Sequence, residues 1–113
     1  MQWFHTHIYY SSPEERIKAV ELQEQLAARK FKTLQISRLV DRAIGPHPVP
    51  MFEADFALEE FTAVVTWLMY NRNGLSILLH PVTEPEKENH LKDHTLRAMW
   101  FGKSLELNLA IFD

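Results

Sequence analysis

The chain has 113 residues, of which 46% are hydrophobic and 24% are charged, proportions typical of one soluble globular domain. A net charge of −3 argues against a nucleic-acid or anionic-membrane partner, and no apolar run reaches the roughly 20 residues of a membrane-spanning helix. The sequence has no cysteine, which excludes disulfides and thiolate sites, and it begins without a signal-peptide pattern. We therefore expect a single domain over residues 1–113 and a cytoplasmic location.

The first half of the chain predicts a strand, a helix and a second strand. Residues 3–10 alternate in polarity and are rich in aromatic and β-branched side chains, which predicts the first strand. The run Ser12-Pro13-Glu14-Glu15 carries a helix N-cap and a capping box, so a helix should begin at Pro13 and extend to about Lys30. Residues 34–40 alternate again and predict the second strand.

The second half begins with three prolines between residues 45 and 50, which predict a stiff connection because proline fixes φ and lacks an N–H. Asn73-Gly74 tolerates the left-handed conformation and should end the second helix. The elements predicted after the connection are a third strand over Met51–Phe56, a helix over Leu58–Asn71, a fourth strand over Leu75–Leu79, a loop or short helix over 84–93 and an added strand over Leu105–Phe112.

The order β-α-β-β-α-β with a C-terminal extension predicts an α+β, ferredoxin-like domain: an antiparallel sheet with two helices on one face. The helices should cover the face that carries Phe4 and Ile8, because that face is purely apolar. The other face stays open unless something covers it. Two copies of such a domain commonly bury these faces against each other, so we expect a homodimer of barrel-type form with a cavity between sheet and cover.

Six residues are histidine, a common metal ligand and the side chain best suited to move protons near pH 7. Without cysteine, any transition-metal site must use histidines and carboxylates. His5 and His7 should point to the open face, and His80, at the end of the neighbouring fourth strand, should point the same way. His47 lies in the proline-rich connection that leads into the third strand, which should pair with the first strand on its other side. These sequence-distant histidines can therefore converge, and the flanking prolines stiffen the backbone that carries them.

Simpler interpretations apply to several candidate residues. A histidine pair on a surface strand arises by chance, and His90 lies in a charged stretch that indicates solvent exposure. Asp93-His94 is either a solvated loop pair or a carboxylate that orients an imidazole. Carboxylates on one strand face, such as Glu53 and Asp55, are more often solvated than catalytic. Phosphate-cradling glycine loops, the Gly-x-Ser-x-Gly elbow and the His-Glu-x-x-His zinc helix are all missing.

Five groups of short motifs, weak singly but specific as an ordered set, occur along nearly the whole chain. They are His5-Thr6-His7-Ile8-Tyr9-Tyr10, Gly45-Pro46-His47-Pro48, Asn71-Arg72 with Leu75-Ser76 leading to His80-Pro81, Asp93-His94, and Trp100-Phe101-Gly102. On these motifs the chain resembles the DOPA 4,5-dioxygenase family. The resemblance implies a ferredoxin-like fold, a non-haem iron centre, and extradiol cleavage of a catechol ring by O₂.

Carried over by position, the resemblance implies that His7, His47 and His80 bind the metal. It gives His94 the role of a fourth ligand or of the acid–base group, with His5 as a near neighbour. Non-haem Fe(II) oxygenases usually combine two histidines with one carboxylate, whereas three histidines also suit zinc. The resemblance makes Fe(II) the expected metal, the three-histidine set makes zinc the alternative, and Glu53 is a possible carboxylate ligand.

The resulting hypothesis is an Fe(II)-dependent extradiol dioxygenase of a catechol such as DOPA, with His94 or His5 as acid and base. Tyr9 should line the substrate pocket, and Arg38 or Arg72 should pair with a substrate carboxylate. One alternative is a dimer that binds zinc or a small molecule without turnover. Another is a partner-binding domain that holds no metal.

Overall fold

Five antiparallel strands form one sheet in the computed structural model, which describes residues 2–83 and 86–113. The strands are β1 (Trp3–Tyr9), β2 (Gln35–Ile36), β3 (Met51–Ala57), β4 (Ile77–Val82) and β5 (Met99–Phe101), in the order β2-β3-β1-β4-β5. The helices are α1 (Pro13–Ala28), α2 (Phe61–Asn71) and α3 (Lys87–His94), with 3-10 helices at Leu58–Glu60 and Leu109–Phe112. The architecture is α+β and consistent with the predicted ferredoxin-like fold, with α3 and β5 added.

One face of the sheet is packed against α1 and α2, as the apolar side chains Phe4 and Ile8 predicted. Burying each large aliphatic or aromatic side chain of this layer contributes roughly 1.5–3 kcal/mol. The three central strands are thereby fixed by a dry core, which gives the opposite face a rigid base. The fully buried members include Ile8, Leu22, Leu26, Phe52, Phe56, Val64, Leu68 and Ile77.

The start of α1 confirms the predicted cap. The Ser12 hydroxyl accepts a hydrogen bond from Glu15 N at 3.1 Å, and Pro13 occupies the first helical turn. The Glu15 carboxylate accepts from Ser11 N at 2.7 Å, one residue earlier than in an ordinary capping box. The helix ends at Ala28, two residues before the predicted end.

The second strand is much shorter than predicted, since only Gln35–Ile36 of residues 34–40 are in strand conformation. Ser37 is the cause: its hydroxyl accepts from Glu53 N at 2.8 Å, in the place that a main-chain carbonyl would take in a regular ladder. Pairing with β3 resumes only as an isolated bridge between Val40 and Met51.

The fourth strand is displaced along the chain relative to its prediction. It begins at Ile77 rather than Leu75 and continues through His80 and Pro81 to Val82. Proline is tolerated there because β5 pairs only with residues 77–79, which leaves β4 with an open edge at Pro81. His80 is therefore held inside a strand and not at its end.

The helix predicted from Leu58 begins with a 3-10 turn and becomes α-helical at Phe61. The Glu60 carboxylate does not cap this helix, because it accepts hydrogen bonds from the backbone N–H groups of Lys32 and Thr33. The helix is followed, as predicted, by Asn73 and Gly74 at positive φ, +58° and +78°.

The C-terminal part differs most from the prediction. Within residues 84–93 a short helix, α3, forms from Lys87, while residues 84 and 85 lie outside the described part of the chain. The added strand predicted over Leu105–Phe112 is wrong: the fifth strand is Met99–Phe101, and Leu109–Phe112 is a 3-10 helix. Leu105 and Leu107 pack onto the sheet from a segment that has no regular secondary structure. Their alternation therefore reflects burial of one side of this segment, and not strand pairing.

The sheet face that was expected to stay open is partly covered by the chain itself. Tyr9 is only 2% exposed, because Trp100, Leu105 and Leu107 pack around it. The helix α3 contacts β4 and the last 3-10 helix. A second copy is therefore not needed to bury Tyr9, and the homodimer stays a prediction. In the described residues, no helix is both long enough and apolar enough to cross a membrane.

Candidate metal centre

Five of the six histidines form one cluster on the face of the sheet opposite α1 and α2. Their ring centroids are 4.1 Å apart for His7 and His47, 4.1 Å for His80 and His94, and 5.1 Å for His7 and His80. His5 adds a fifth ring, 5.3 Å from that of His80. The cluster brings together residues that are up to 89 positions apart in the chain.

Strand register explains three of the five positions. His5 and His7 share a face of β1 because side chains alternate along a strand. β4 lies beside β1 with His80 directly opposite His5, so all three imidazoles project from the same face. The Nε2 atoms of His7 and His80 are 3.0 Å apart.

His47 and His94 reach the cluster from irregular structure and from α3. A tight turn places His47, whose N–H donates to Ile44 O at 3.0 Å, with Gly45 at a φ of +58° that favours glycine. His94 is the last residue of α3 and lies over His80. Asp93 does not orient an imidazole: its carboxylate accepts from Thr83 N at 3.0 Å and from Arg97 Nη1 at 3.0 Å.

Main-chain carbonyls fix the tautomers of two ligand candidates. A carbonyl oxygen only accepts, so the Nδ1–H groups of His80 and His94 must donate to Pro81 O at 2.8 Å and His90 O at 2.7 Å. The Nε2 atom of each neutral ring then carries a lone pair that faces the cluster. The Tyr9 hydroxyl lies 2.7 Å from His47 Nδ1 and fixes the orientation of that ring.

Burial keeps the cluster uncharged. Burial first, and neighbouring histidines such as His94 second, lower the pKa of His47 to about 4 and that of His80 to about 3. The pKa of His7 is well below its usual value for the same reasons, and burial also lowers the pKa values of His5 and His94. Neutral imidazole is the form that binds metal ions.

The donor set fits a divalent transition-metal ion. His80 Nε2 carries a lone pair, and a second lone pair on His7 Nε2 at 3.0 Å is repulsive unless a cation or a proton lies between them. Ligand atoms group within 4.8 Å of one another in two overlapping sets, His5–His7–His80 and His7–His47–His94. His7 belongs to both sets, whereas His47 and His80 lie on different sides of it.

Two carboxylates border the cluster on β3. Glu53 lies opposite His7 and Asp55 lies opposite His5, and both side chains are partly buried. Burial and the adjacent Glu53 carboxylate raise the pKa of Asp55 to about 8. The signal for this contact was the alternation Met51–Glu53–Asp55, which the sequence carried but which is equally typical of a solvated strand face.

The remaining predicted site residues lie apart from the rings. Arg38 is exposed in the segment after β2 and lines a depression with Asp41 and Ile44. Arg72 follows α2, and its Nη1 donates to Leu75 O at 2.9 Å. Within residues 2–83 and 86–113, neither arginine forms a hydrogen bond or an ion pair with the cluster. His90 is exposed and stacks on Phe112.

A cavity of about 240 Å³ opens beside His94. Sequence reasoning missed it because its leucines were assigned to a strand. A larger depression of about 440 Å³, at the start of α1 and along Pro48–Pro50, has no histidine in its lining. The residues that line the smaller cavity are His94, Thr95, Trp100, Leu105, Leu107 and Leu109.

Comparison with known proteins gives a consistent set of relatives. The chain is 44% identical over 114 residues to an uncharacterized 21.2 kDa protein of Botryotinia fuckeliana, covering 96% of this chain and 62% of that protein. It is 35% identical over 114 residues to DOPA 4,5-dioxygenase of Amanita muscaria, covering 96% of this chain and 48% of that enzyme. The chain thus spans less than two thirds of both curated relatives.

A solved structure and a family profile cover the chain more fully. The crystal structure of a candidate dioxygenase from Nostoc punctiforme superposes with a TM-score of 0.87 at 38% identity, covering 98% of this chain and 90% of that one. The profile of the Dopa 4,5-dioxygenase family matches residues 4–111, which include every histidine of the cluster. The chain therefore belongs to the Dopa 4,5-dioxygenase family.

Proposed function

We propose that this protein is an Fe(II)-dependent extradiol dioxygenase that opens the ring of a catechol such as DOPA. The observation that carries the proposal is the convergence of neutral, buried imidazoles from β1, β4, α3 and the turn before β3. Such a set is costly to assemble without a ligand, since each ring loses its contact with water. Family membership supports the reaction class.

In this proposal His7 holds the metal together with His47 from one side and His80 from the other, so these two outer rings must approach each other when the ion binds. When bound, Fe(II) supplies adjacent coordination positions at which a catechol and O₂ meet. The Tyr9 hydroxyl, 2.7 Å from His47 Nδ1, orients that ring, and Pro81 O does the same for His80. Rings held in this way meet the metal without losing further side-chain freedom.

His94 and His5 are the proposed acid–base groups. Cleavage requires a group that removes a catechol proton and later returns a proton to the product side. His94 borders both the cluster and the cavity, and its Nε2 carries a free lone pair because Nδ1–H is committed to His90 O. This atom can accept a proton from a hydroxyl of a substrate seated in the cavity.

The cavity beside His94 suits a flat aromatic substrate. Trp100 and three leucines line most of it, and Trp100 also stacks on Tyr9 with centroids 5.8 Å apart. Tyr9 would then contribute to substrate binding indirectly, by packing against Trp100 and by orienting the His47 ring. That Arg38 or Arg72 holds a substrate carboxylate stays a prediction, tested by comparing DOPA with unsubstituted catechol in each arginine variant.

Zinc or small-molecule binding without turnover is the second candidate. The observation that favours it is the donor set itself, since clusters of neutral histidines are typical zinc sites. Under this alternative the same residues bind metal, but O₂ is not consumed.

Oxygen uptake separates the two candidates. Protein purified without a His tag is stripped, loaded anaerobically with Fe(II) or Zn(II), and mixed with catechol or DOPA in air-saturated buffer. We expect uptake and a ring-opened chromophore only with Fe(II), and none with a singly methylated catechol, which lacks one hydroxyl proton. His90→Ala, with an exposed ring outside the cluster, is the matched control for His80→Ala. Metal binding without uptake by any catechol would favour the second candidate.

A further inference from the structure

His5, Glu53 and Asp55 form a second group of candidate ligands beside the histidine cluster. They project from the same face of neighbouring strands, because the antiparallel register pairs His5 with Asp55 and His7 with Glu53. His5 Nδ1 is 3.6 Å from Glu53 Oε2, and His5 Nε2 is 3.5 Å from Asp55 Oδ2. All three side chains are between one fifth and one third exposed, so a hydrated ion can reach them.

These distances are too long for hydrogen bonds, and they involve different nitrogens of the His5 ring, of which one ion can use only one. Hydrogen bonds between such groups measure about 2.7–3.2 Å. Two ligand atoms that each lie about 2.1 Å from a shared cation are separated by roughly 3.0–3.5 Å at tetrahedral or octahedral angles. One ligand atom from each of His5, Glu53 and Asp55 lies within 4.8 Å of the other two, so a small closure brings the three to co-ligand spacing.

Unpaired buried atoms lie at the same place. In the described part of the chain, two buried side-chain polar atoms have no hydrogen-bond partner, His7 Nδ1 and Asp55 Oδ1. His7 is only 3% exposed, and its Nδ1 is directed at Glu53 Oε1, 3.6 Å away. Buried groups without partners are costly. With the lone pair of His7 on Nε2, its Nδ1–H is a donor near Glu53, whereas Asp55 Oδ1 is an acceptor that lacks a proton or a cation.

We infer that this corner binds a second divalent cation, held by His5, Glu53 and Asp55 and bordered by His7 Nδ1. Two adjacent carboxylates repel each other unless a proton or a cation lies between them, and a divalent ion displaces the proton and balances both charges. The imidazole favours a transition ion such as Mn²⁺, Fe²⁺ or Zn²⁺ over Mg²⁺ or Ca²⁺.

The second site has a consequence for the proposed function, and it rests on that function only for the histidine centre, which binds the other ion. An imidazole nitrogen bound to a cation has no lone pair with which to accept a proton. His5 is then a ligand, and His94 alone remains as the acid–base group of the centre.

Metal counting tests the inference without measuring turnover. Metal-free protein is equilibrated with Zn²⁺, desalted and analysed by mass spectrometry for zinc per chain. We expect about two equivalents for the wild type and about one each for Asp55→Asn, Glu53→Gln and His47→Ala. Combining Asp55→Asn with His47→Ala should abolish binding. Asp41→Asn, the same change at an exposed carboxylate, is the matched control and should keep both ions.

Several outcomes would overturn the inference. One equivalent in the wild type that Asp55→Asn retains, or two in Asp55→Asn, excludes a second site. Loss of all zinc in Glu53→Gln makes Glu53 a ligand of the histidine centre instead. Circular dichroism of the metal-free variants establishes folding, and Zn²⁺ should raise the Tm of Asp55→Asn by less than that of the wild type. Oxygen uptake enters none of these arms, so failure here leaves the proposed function standing.

Discussion

Replacing Asp93 with alanine should detach α3 from the sheet. The Asp93 carboxylate is 3% exposed and accepts from Thr83 N, from the Thr83 hydroxyl and from Arg97 Nη1, all at 3.0–3.1 Å. Thr83 follows the end of β4, so this one carboxylate joins the strand that carries His80 to the helix that carries His94. Asp93 is also the one buried residue of α3.

The expected cost follows from these contacts. A buried hydrogen bond to a charged group contributes about 1.5–3 kcal/mol. Arg97 is 38% exposed and Thr83 is also accessible, so water can replace part of the hydrogen bonding that both residues lose when Asp93 is removed. We expect Asp93→Ala to cost about 2–3 kcal/mol and Asp93→Asn, which keeps an acceptor, about 1 kcal/mol. An eight-residue helix is unstable alone, so this cost falls on the docking of α3.

Hydrogen exchange locates the effect. Amides of α3 in Asp93→Ala should exchange at least about tenfold faster than in the wild type, while those of β1 stay unchanged. Lys92→Ala, one residue earlier and exposed, controls for helix propensity. Unchanged α3 exchange with less than about 0.5 kcal/mol lost in urea unfolding would refute the anchoring role of Asp93.

Four further predictions concern the cluster and the assembly. His80→Ala should weaken metal binding more than about 100-fold, measured by competition with a chelator, whereas His90→Ala should leave it unchanged. His94→Ala should keep most of its metal yet lose about 10²–10⁴-fold in turnover; metal loss as complete as in His80→Ala would make it a ligand. The metal-free protein should lose stability as the pH falls below about 6.5, by up to about 1.4 kcal/mol per pH unit for each buried histidine. The reason is that His47 and His80 are protonated near pH 6.5 in the unfolded state but only at about pH 4 and pH 3 in the folded state. Equal urea midpoints at pH 7 and pH 5.5 would contradict this prediction. Light scattering at micromolar concentration should report a dimer that uses the half-buried Trp3, and a clean monomer would refute it.

The sheet and its histidines were predictable because strand periodicity is local. Alternation alone assigns His5 and His7 to one face, and the β-α-β-β-α-β order alone makes β1 and β4 neighbours. The position of His80 opposite His5 needed a register that the turn lengths do not specify. Only the face of His80 was predictable, because Leu79 is apolar and should face the helices, as the core confirms.

Two segments cover the sheet face that carries the histidines, α3 and the stretch with Leu105 and Leu107, and neither was predictable by strand periodicity. α3 is short and polar, with no apolar stripe, so periodicity distinguishes it poorly from a loop. Its place is fixed by the long-range contacts of Asp93 with Thr83 and Arg97, which have no signature in the chain. Leu105 and Leu107 alternate like a strand, but they fill the space beside Tyr9, which exists only once the sheet has formed.

The two sides of the cluster are therefore stabilised by different forces. On the sheet side, His7 and His80 stand on strands whose other face is a dry apolar core, and moving them would expose large buried side chains. On the cover side, His94 stands on a helix held mainly by the polar contacts of Asp93, which can break and re-form in water without exposing apolar surface. Ligands need the rigid side, because a metal site tolerates little displacement. A proton-transfer group needs the mobile side, because it must meet a substrate that enters past the cover. The proposed division of roles, with His7 and His80 on the strands as ligands and His94 on α3 as the proton-transfer group, follows from this difference in support.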